Sequence, residues 1–109
     1  MHLSRTGAEY AYWHLTSDSS LQGSPYVAVV DANASPTATT VWTVAAWSEA
    51  EVVTGSTHTR TMRLLLAGPD NGTNPGSPLV VPVGEWATYV RIDASPERIE
   101  RSLGRLYVE

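Results

Sequence analysis

The residue types that carry out most enzymatic chemistry are few in this chain and widely spaced. The three histidines, His2, His14 and His58, have none of the short spacings that place two imidazoles around one metal ion, and cysteine is absent. Glu49 and Glu51 lie two residues apart, as the carboxylates of a glycosidase could, but no aromatic platform accompanies them, which indicates a solvated rim. The sequence therefore predicts a protein that is not an enzyme and that holds no metal and no cofactor.

Four tryptophans in a chain without phenylalanine are the strongest remaining chemical signal. Their rings could line a sugar-binding groove, but in a small β-sandwich large rings usually fill the space between the sheets. We therefore expect core positions for Trp13, Trp42 and Trp86, and partial exposure for Trp47, which precedes the acidic stretch SEAE.

The charge balance argues against nucleic acid as a partner. Eleven acidic residues against seven arginines, with no lysine, give a net charge of −4, whereas nucleic-acid-binding domains carry an excess of basic residues. The longest aliphatic runs, such as LLLA and LVVPV, are too short to cross a bilayer. We therefore expect a protein that is made in the cytoplasm, stays soluble and binds neither nucleic acid nor membrane.

Alternating and β-branched runs, separated by turn residues about every ten positions, predict an all-β fold. At 109 residues the chain is long enough for one domain with one core. We predict a single β-sandwich of about seven strands over residues 1–109, with residues 1–8 as a flexible or contact arm. The predicted core consists of Val27, Val29, Met62, Leu64, Leu66, Trp86, Val90 and Ile92.

The C-terminal stretch ASPERIERSLGRLYVE can form either a helix or part of a hairpin. Ser95 and the proline that follows it would start a helix, but an isolated helix of this length is marginal in water, whereas a terminal strand covers an exposed sheet edge. We predict a hairpin with its connection over residues 95–103, at most one helical turn at 96–98, and a final strand that buries Leu106 and Val108.

The segment AGPDNGTNPGSP, residues 67–78, is rich in glycine, proline, Asn and Asp, which predicts a loop. Its DNGTN portion lacks the further carboxylates of a calcium-binding loop and is better explained as a turn. A loop of this length in a small domain is either a mobile tip or a contact surface. We predict partner contacts at Asp70, Asn71 and Asn74, and we expect that shortening the loop leaves the melting temperature of the isolated domain nearly unchanged.

Several segments together resemble a group of small proteins from tailed phages of actinobacteria. They are WHLTSDSSLQGSPYVAVV, VWTVAAW, RLLLAGP and LVVPVGEWATYVRIDASPERIERSLGRLYVE, and they cover most of the chain from Trp13 onward. In that group a leucine-x-glycine-x-proline-x-valine run precedes a paired-tryptophan segment and an arginine-aliphatic strand that ends in Gly-Pro. The resemblance implies an immunoglobulin-like sandwich and a virion component of the head or the head-to-tail region, with no catalytic residues.

On this basis we expect a virion structural protein that binds the capsid shell in many copies, as a decoration or minor capsid subunit. Its partners would be the major capsid protein or other virion proteins, and self-association is expected. The alternatives are a head-to-tail connector or tail-associated immunoglobulin-like protein, or a carbohydrate-binding module that uses exposed tryptophan and the 67–78 loop. Beside the three loop residues, the candidate partner contacts are Trp47, Arg60, Arg63, Arg98, Arg101 and Arg105, because arginine pairs well with the carboxylates of an acidic surface.

Overall fold

The fold consists of two packed β-sheets in a computed structural model that describes residues 1–72, 76–93 and 98–109. Five strands have 7 to 11 residues: β2 (Ala8–Ser17), β3 (Pro25–Asp31), β7 (Thr57–Ala67), β9 (Gly84–Asp93) and β10 (Arg98–Val108). Five have two or three: β1 (His2–Leu3), β4 (Thr43–Val44), β5 (Ala46–Trp47), β6 (Val52–Thr54) and β8 (Leu79–Val80). The all-β sandwich predicted from the sequence is confirmed, and short strands bring the number in the described residues to ten. Those residues include no helix with the length and hydropathy of a membrane span.

The two sheets are built differently. In the first, called the β9 sheet, the strands follow the order β1-β10-β9-β3-β4, and only the β1–β10 pair is parallel. In the second, called the β7 sheet, β7 pairs with β2 on one side over ten residue pairs and with β5, β6 and β8 on the other. Ala45 alone separates β4 from β5, so the chain crosses from one sheet to the other within one residue.

The alternation of the long strands decides which side chains reach the core. In β7, Met62, Leu64 and Leu66 are buried, while the residues between them face outward. Six of the eight predicted core residues are buried, and the other two, Val29 and Trp86, are partly buried against the same cluster. Each fully buried aliphatic side chain stabilises the fold by about 1.5–3 kcal/mol.

All four tryptophans are partly buried. Trp13, Trp47 and Trp86 pack against the core cluster, so the expected core role is confirmed in part for Trp13 and Trp86, and the partial exposure expected for Trp47 is confirmed. Trp42 lies elsewhere: its ring is 4.9 Å from the guanidinium of Arg91 on the outer face of the β9 sheet. The residue directly precedes β4 and is not in a strand itself, so strand alternation does not turn its ring inward.

The C-terminal sequence forms a β-hairpin, as predicted. β9 and β10 are antiparallel neighbours, and their pairing runs from Arg98 to Val108. The predicted connection over residues 95–103 is too long, because β10 already begins at Arg98. The sequence also allowed one helical turn at residues 96–98. Arg98 is the first residue of β10 and is therefore not helical, and residues 94–97 lie outside the described part of the chain.

A β-bulge near Gly104 changes the register of β10 without ending the strand. The register of β10 against β9 shifts between Ser102 and Gly104, which leaves Leu103 as an extra residue. Gly104 has a φ of 105°, a conformation that residues with a Cβ rarely adopt. The strand continues beyond the bulge and buries Leu106 and Val108, which are 1% and 2% exposed, as predicted.

Residues 1–8, expected to form an arm, are instead held in the fold. β1 adds to β10 as a parallel strand, and Leu3 is buried in the core. The Glu109 N–H donates to the Leu3 carbonyl (3.0 Å), and the Arg5 N–H donates to the Glu109 carbonyl (2.7 Å). A single apolar residue has no periodicity, which is why the sequence did not indicate this strand.

The start of the 67–78 loop is anchored on the same N-terminal segment. The N–H of the buried Gly68 donates to the Gly7 carbonyl (3.0 Å), and the Asp70 N–H donates to the Arg5 carbonyl (2.9 Å). A Cβ on Gly68 would lie 2.3 Å from that Arg5 oxygen. The first residues of the loop are therefore part of the fold, and we no longer expect that the whole loop can be shortened without a loss of stability.

Removing residues 105–109 should unfold or aggregate the protein. The deletion takes Leu106 and Val108 out of the core, at about 1.5–3 kcal/mol each, from a domain whose total stability is on the order of 5–15 kcal/mol. Urea unfolding of two full-length variants gives the matched comparison: Leu106→Ala should lose about 2–5 kcal/mol, and Arg105→Ala, on the exposed face, at most about 1 kcal/mol. A truncated chain that melts within a few degrees of the full chain would contradict the hairpin's role.

Gly68→Ala should destabilise the protein by about 1–3 kcal/mol, because the new methyl group forces the 5–8 and 68–70 segments apart. Gly7→Ala is the control on the same pair of segments, since its Cβ would lie 3.4 Å from the nearest atoms of Ser4, an ordinary contact. Thermal unfolding of both variants measures the difference. Equal melting temperatures for the two would show that the approach of Gly68 to Arg5 does not constrain the fold.

Candidate functional site

The residues predicted to contact partners are not gathered into one site. Trp47 and Arg60 lie together at one end of the β7 sheet, and Arg63 lies on its outer face. The three arginines of β10 have separate neighbours. The surroundings of each residue decide which of its polar groups remain available to a partner.

Arg60 and Trp47 hold the connection between β2 and β3. The Arg60 guanidinium lies 4.6 Å from the Trp47 ring and donates hydrogen bonds to the carbonyls of Leu21 and Glu49, both at 2.9 Å. The Trp47 indole N–H donates to the Gly23 carbonyl at 2.9 Å. Their polar groups are thus already engaged within the chain, and a partner contact at these two residues stays a prediction.

The Glu51 carboxylate lies beside this pair, and the sequence did not predict its surroundings. Its side chain is only 7% exposed and accepts hydrogen bonds from the Gln22 amide (2.8 Å), the Leu21 N–H (3.0 Å) and the Ser20 hydroxyl (3.2 Å). His58 Nδ1 forms a further hydrogen bond with the same carboxylate. The expected solvated rim is therefore wrong at Glu51, because the connection after β2 folds over the carboxylate and shields it from water.

These donors lower the pKa of Glu51 from 4.5 to about 2. The Leu21 N–H is the largest cause and the Gln22 amide the next; burial acts in the opposite direction, and His58 lowers the pKa further. Four donors occupy the acceptor positions of the two carboxylate oxygens, so Glu51 is poorly placed to act as a general base or a metal ligand. We interpret these contacts as structural, because they hold the connection after β2 against the β6–β7 hairpin. We call Glu51 together with Ser20, Leu21, Gln22 and His58 the Glu51 brace.

One signal in the sequence indicates the contact between Glu51 and His58. The turn residues Gly55 and Ser56 sit between two β-branched runs, which predicts the β6–β7 hairpin. Because His58 pairs with Val53, that hairpin places His58 diagonally across from Glu51, which precedes Val53 by two residues on the same face. The contribution of Ser20 to Gln22 comes from about thirty residues earlier and has no local signature.

Arg63 occupies the outer face of the β7 sheet with two exposed tyrosines. Its guanidinium lies 4.7 Å from the ring of Tyr10, which is 46% exposed, and its register partner Tyr12 is 59% exposed. The two tyrosine rings are 6.2 Å apart and tilted by 48°. We call these three residues the Arg63 surface. Within the described residues Arg63 forms no salt bridge, so its positive charge is available.

Arg98 lines a pocket of about 340 Å³ on the outer face of the β9 sheet. Its Nε donates to Asp93 at 2.8 Å, and Arg91 Nε lies 3.7 Å from the same carboxylate. The Arg91 guanidinium is placed between two aromatic rings, and Glu100 also lines the pocket. Two arginines thus face two carboxylates, so the pocket offers no net positive charge to an anionic partner.

The other two arginines of β10 point away from that pocket. Arg101 donates to the Thr16 carbonyl, which links β10 to the edge of β2. Arg105 forms an exposed ion pair with Glu85 at 3.2 Å, an interaction worth about 0–1 kcal/mol. Both side chains are exposed, and their predicted role as partner contacts stays a prediction.

Two of the three predicted loop contacts, Asp70 and Asn71, lie against the N-terminal segment. Asp70 is exposed and uses its backbone N–H there, while the Asn71 side-chain amide donates to the Thr6 carbonyl at 3.3 Å. Asn74 lies outside the described residues. Across the described ranges, no group of three or more His, Asp or Glu side chains is arranged to hold a metal ion.

Comparison with known proteins adds no relative: the chain matches no family model, no curated protein and no solved structure.

The Glu51 brace should make stability depend on acid pH. Because folding lowers the pKa of Glu51 from 4.5 to about 2, its contribution is complete above pH 4.5 and is lost as the pH falls toward about 2. Glu51→Gln should therefore be less stable than the wild type near neutral pH and should approach it as the pH falls through that window. Urea midpoints measured across the window test this, with Glu49→Gln as the exposed control, expected to follow the wild type. Parallel curves for Glu51→Gln and the wild type would refute the brace.

Proposed function

We propose that this protein is a non-enzymatic structural component of a phage virion, bound to the capsid shell in many copies as a decoration or minor capsid subunit. The observation that carries the proposal is the Arg63 surface, an arginine that forms no salt bridge with the described residues and stacks on one exposed tyrosine beside another. Arginine and tyrosine are enriched at protein–protein interfaces, where they supply much of the binding energy.

The β7 sheet presents this surface on rigid elements. Tyr10 and Tyr12 stand on β2 and Arg63 on β7, and the two strands pair along their full overlap. A surface fixed in this way loses little conformational entropy on binding. Even a weak contact then holds a subunit firmly if each subunit binds at more than one place or to its neighbours, which fits the expected self-association on a shell.

The sequence resemblance supports the virion part of the proposal, and the charge supports the kind of partner. With a net charge of −4 the protein is unlike a nucleic-acid-binding domain, while the arginines at the surface can pair with carboxylates of a capsid protein. The major capsid protein is therefore the first partner to test, and a connector or tail protein is the alternative that would use the same surface.

The geometry favours a protein partner over a carbohydrate. A sugar-binding platform needs exposed aromatic rings that lie roughly in one plane, but the two exposed tyrosine rings are tilted by 48°. Trp47 and Trp86 donate their indole N–H groups to backbone carbonyls, both at 2.9 Å. These two rings are thus fixed by the fold and are not presented together as a platform.

Quantitative mass spectrometry of purified particles from the phage that carries this gene tests the proposal. We expect the chain in particles at a copy number comparable to that of the major capsid protein, and we expect Arg63→Gln to lower it. Arg5→Gln, a change at an exposed arginine on another part of the surface, should leave the copy number unchanged. Absence of the chain from particles would refute the proposal, and a few copies per particle would favour a connector or tail position.

A further inference from the structure

A groove of about 520 Å³ opens next to the Arg63 surface, where the second edge of β7 changes partners. β5 pairs with Met62 and Arg63, and β8 pairs with Leu66 and Ala67. Between these two pairs of strands, residues 64–65 of β7 have no strand partner on this side among the described residues. The groove lies at this gap, and its volume falls in the range of sites that bind small ligands.

The walls of the groove are mainly apolar. Two lining residues, Val44 and Tyr10, are 61% and 46% exposed, although side chains of these types are usually covered in part. The described residues that line it are Tyr10, Thr43, Val44, Ala45, Ala46, Arg63, Leu64, Leu65, Gly76, Ser77, Pro78 and Leu79. One of these is a cation, Arg63, and none is acidic.

The charge of the groove is therefore uncompensated. Arg63 is held against the Tyr10 ring by a cation–π contact and forms no salt bridge with the described residues. A guanidinium that stacks on a ring keeps its N–H groups free at the edge, where they can bind a carboxylate with two hydrogen bonds. The complementary ligand is an apolar group with a carboxylate beside it.

We propose that this groove binds an extended segment of a partner protein in which an acidic residue flanks an apolar one. The apolar side chain would contact Val44 and Leu65, the carboxylate would pair with Arg63, and the backbone of the segment would lie along the gap in the strand partners of β7. Successive residues of a strand direct their N–H and C=O groups to opposite edges, so this two-residue gap leaves the backbone groups of one residue for the segment. Main-chain hydrogen bonds there add to the affinity, while side-chain contacts supply specificity.

The rim of the groove has an unusual backbone conformation that fits a binding role. Ser77 has a φ of 49° and is the one described residue other than glycine with a positive φ. Non-glycine residues in this region cost free energy and are concentrated at ligand-binding loops and similar sites.

This inference rests on the proposal that the protein binds other proteins, but its test is separate. Copy number in particles tests the virion role, and peptide binding by the purified full-length chain tests the groove. A chain that is abundant in particles yet binds no acidic peptide would overturn only the groove assignment. A chain that is absent from particles yet binds such peptides would overturn only the virion role.

The experiment is a selection from a displayed library of short random peptides on the immobilised full-length chain, followed by affinity measurements on the selected peptides. We expect sequences in which Asp or Glu flanks an aliphatic or aromatic residue. Arg63→Gln should weaken their binding by about tenfold or more, since a hydrogen bond to a charged group is lost. Arg5→Gln should leave the affinity unchanged.

A second pair of variants separates the groove from the rest of the surface. Val44→Asp places a negative charge in the groove and should abolish binding, whereas Val53→Asp changes an equally exposed valine on β6 (55% against 61%) and should not. Selected peptides without acidic residues, or binding that Arg63→Gln and Val44→Asp leave unchanged, would overturn the proposal. So would a dimer in sedimentation that Arg63→Gln dissociates, because the occupant would then be a second copy of this chain.

Discussion

The unbroken pairing of β2 with β7 over ten residue pairs is the constraint on which the rest of the structure depends. It occupies one side of β7 completely, so the other side must be completed by three short strands that arrive from different parts of the chain. Strands of two or three residues add few backbone hydrogen bonds. Hydrogen bonds from side chains therefore supply part of the stabilisation on this side of β7. Glu51, Arg60 and Trp47 serve this purpose by joining the connection after β2 to β5, β6 and β7.

The difference between the two sides of β7 also explains which charged side chains interact within the fold. Two charged groups near the end of the β7 sheet are matched to backbone atoms: Arg60 donates to two carbonyls, and Glu51 accepts from a backbone N–H. Hydrogen bonds of this kind satisfy charged groups that would otherwise be costly to bury, so they contribute to the stability of the fold. Arg63 differs, because its neighbours are an aromatic ring and an apolar groove. The proposed function therefore depends on Arg63, the arginine of β7 that stacks on Tyr10 and forms no salt bridge with the described residues.

The sequence predicted the features that depend on periodicity and missed those that depend on meeting a distant segment. β2, β3, β7, β9 and most of the core followed from alternation, as did the burial of Leu106 and Val108. Two-residue strands have no period to detect, and β1 was therefore assigned to an arm. Glu51 was assigned to the solvent because its backbone donor is separated from it by 30 positions. Arg63 was proposed from composition, but its partner Tyr10 and the groove depend on the strand register.

The pairing of β1 with β10 has a kinetic consequence. It joins residues at opposite ends of the sequence, and the hydrogen bonds of the Glu109 backbone with Leu3 and Arg5 close a loop that includes nearly all of it. The entropy lost in closing so long a loop must be overcome before these contacts stabilise anything. Topologies dominated by such distant pairs fold in milliseconds to seconds, more slowly than helical domains of similar size. In a newly made chain the edge of β10 thus stays open until late, and the speed at which the first residues dock decides how long that edge can pair with another molecule.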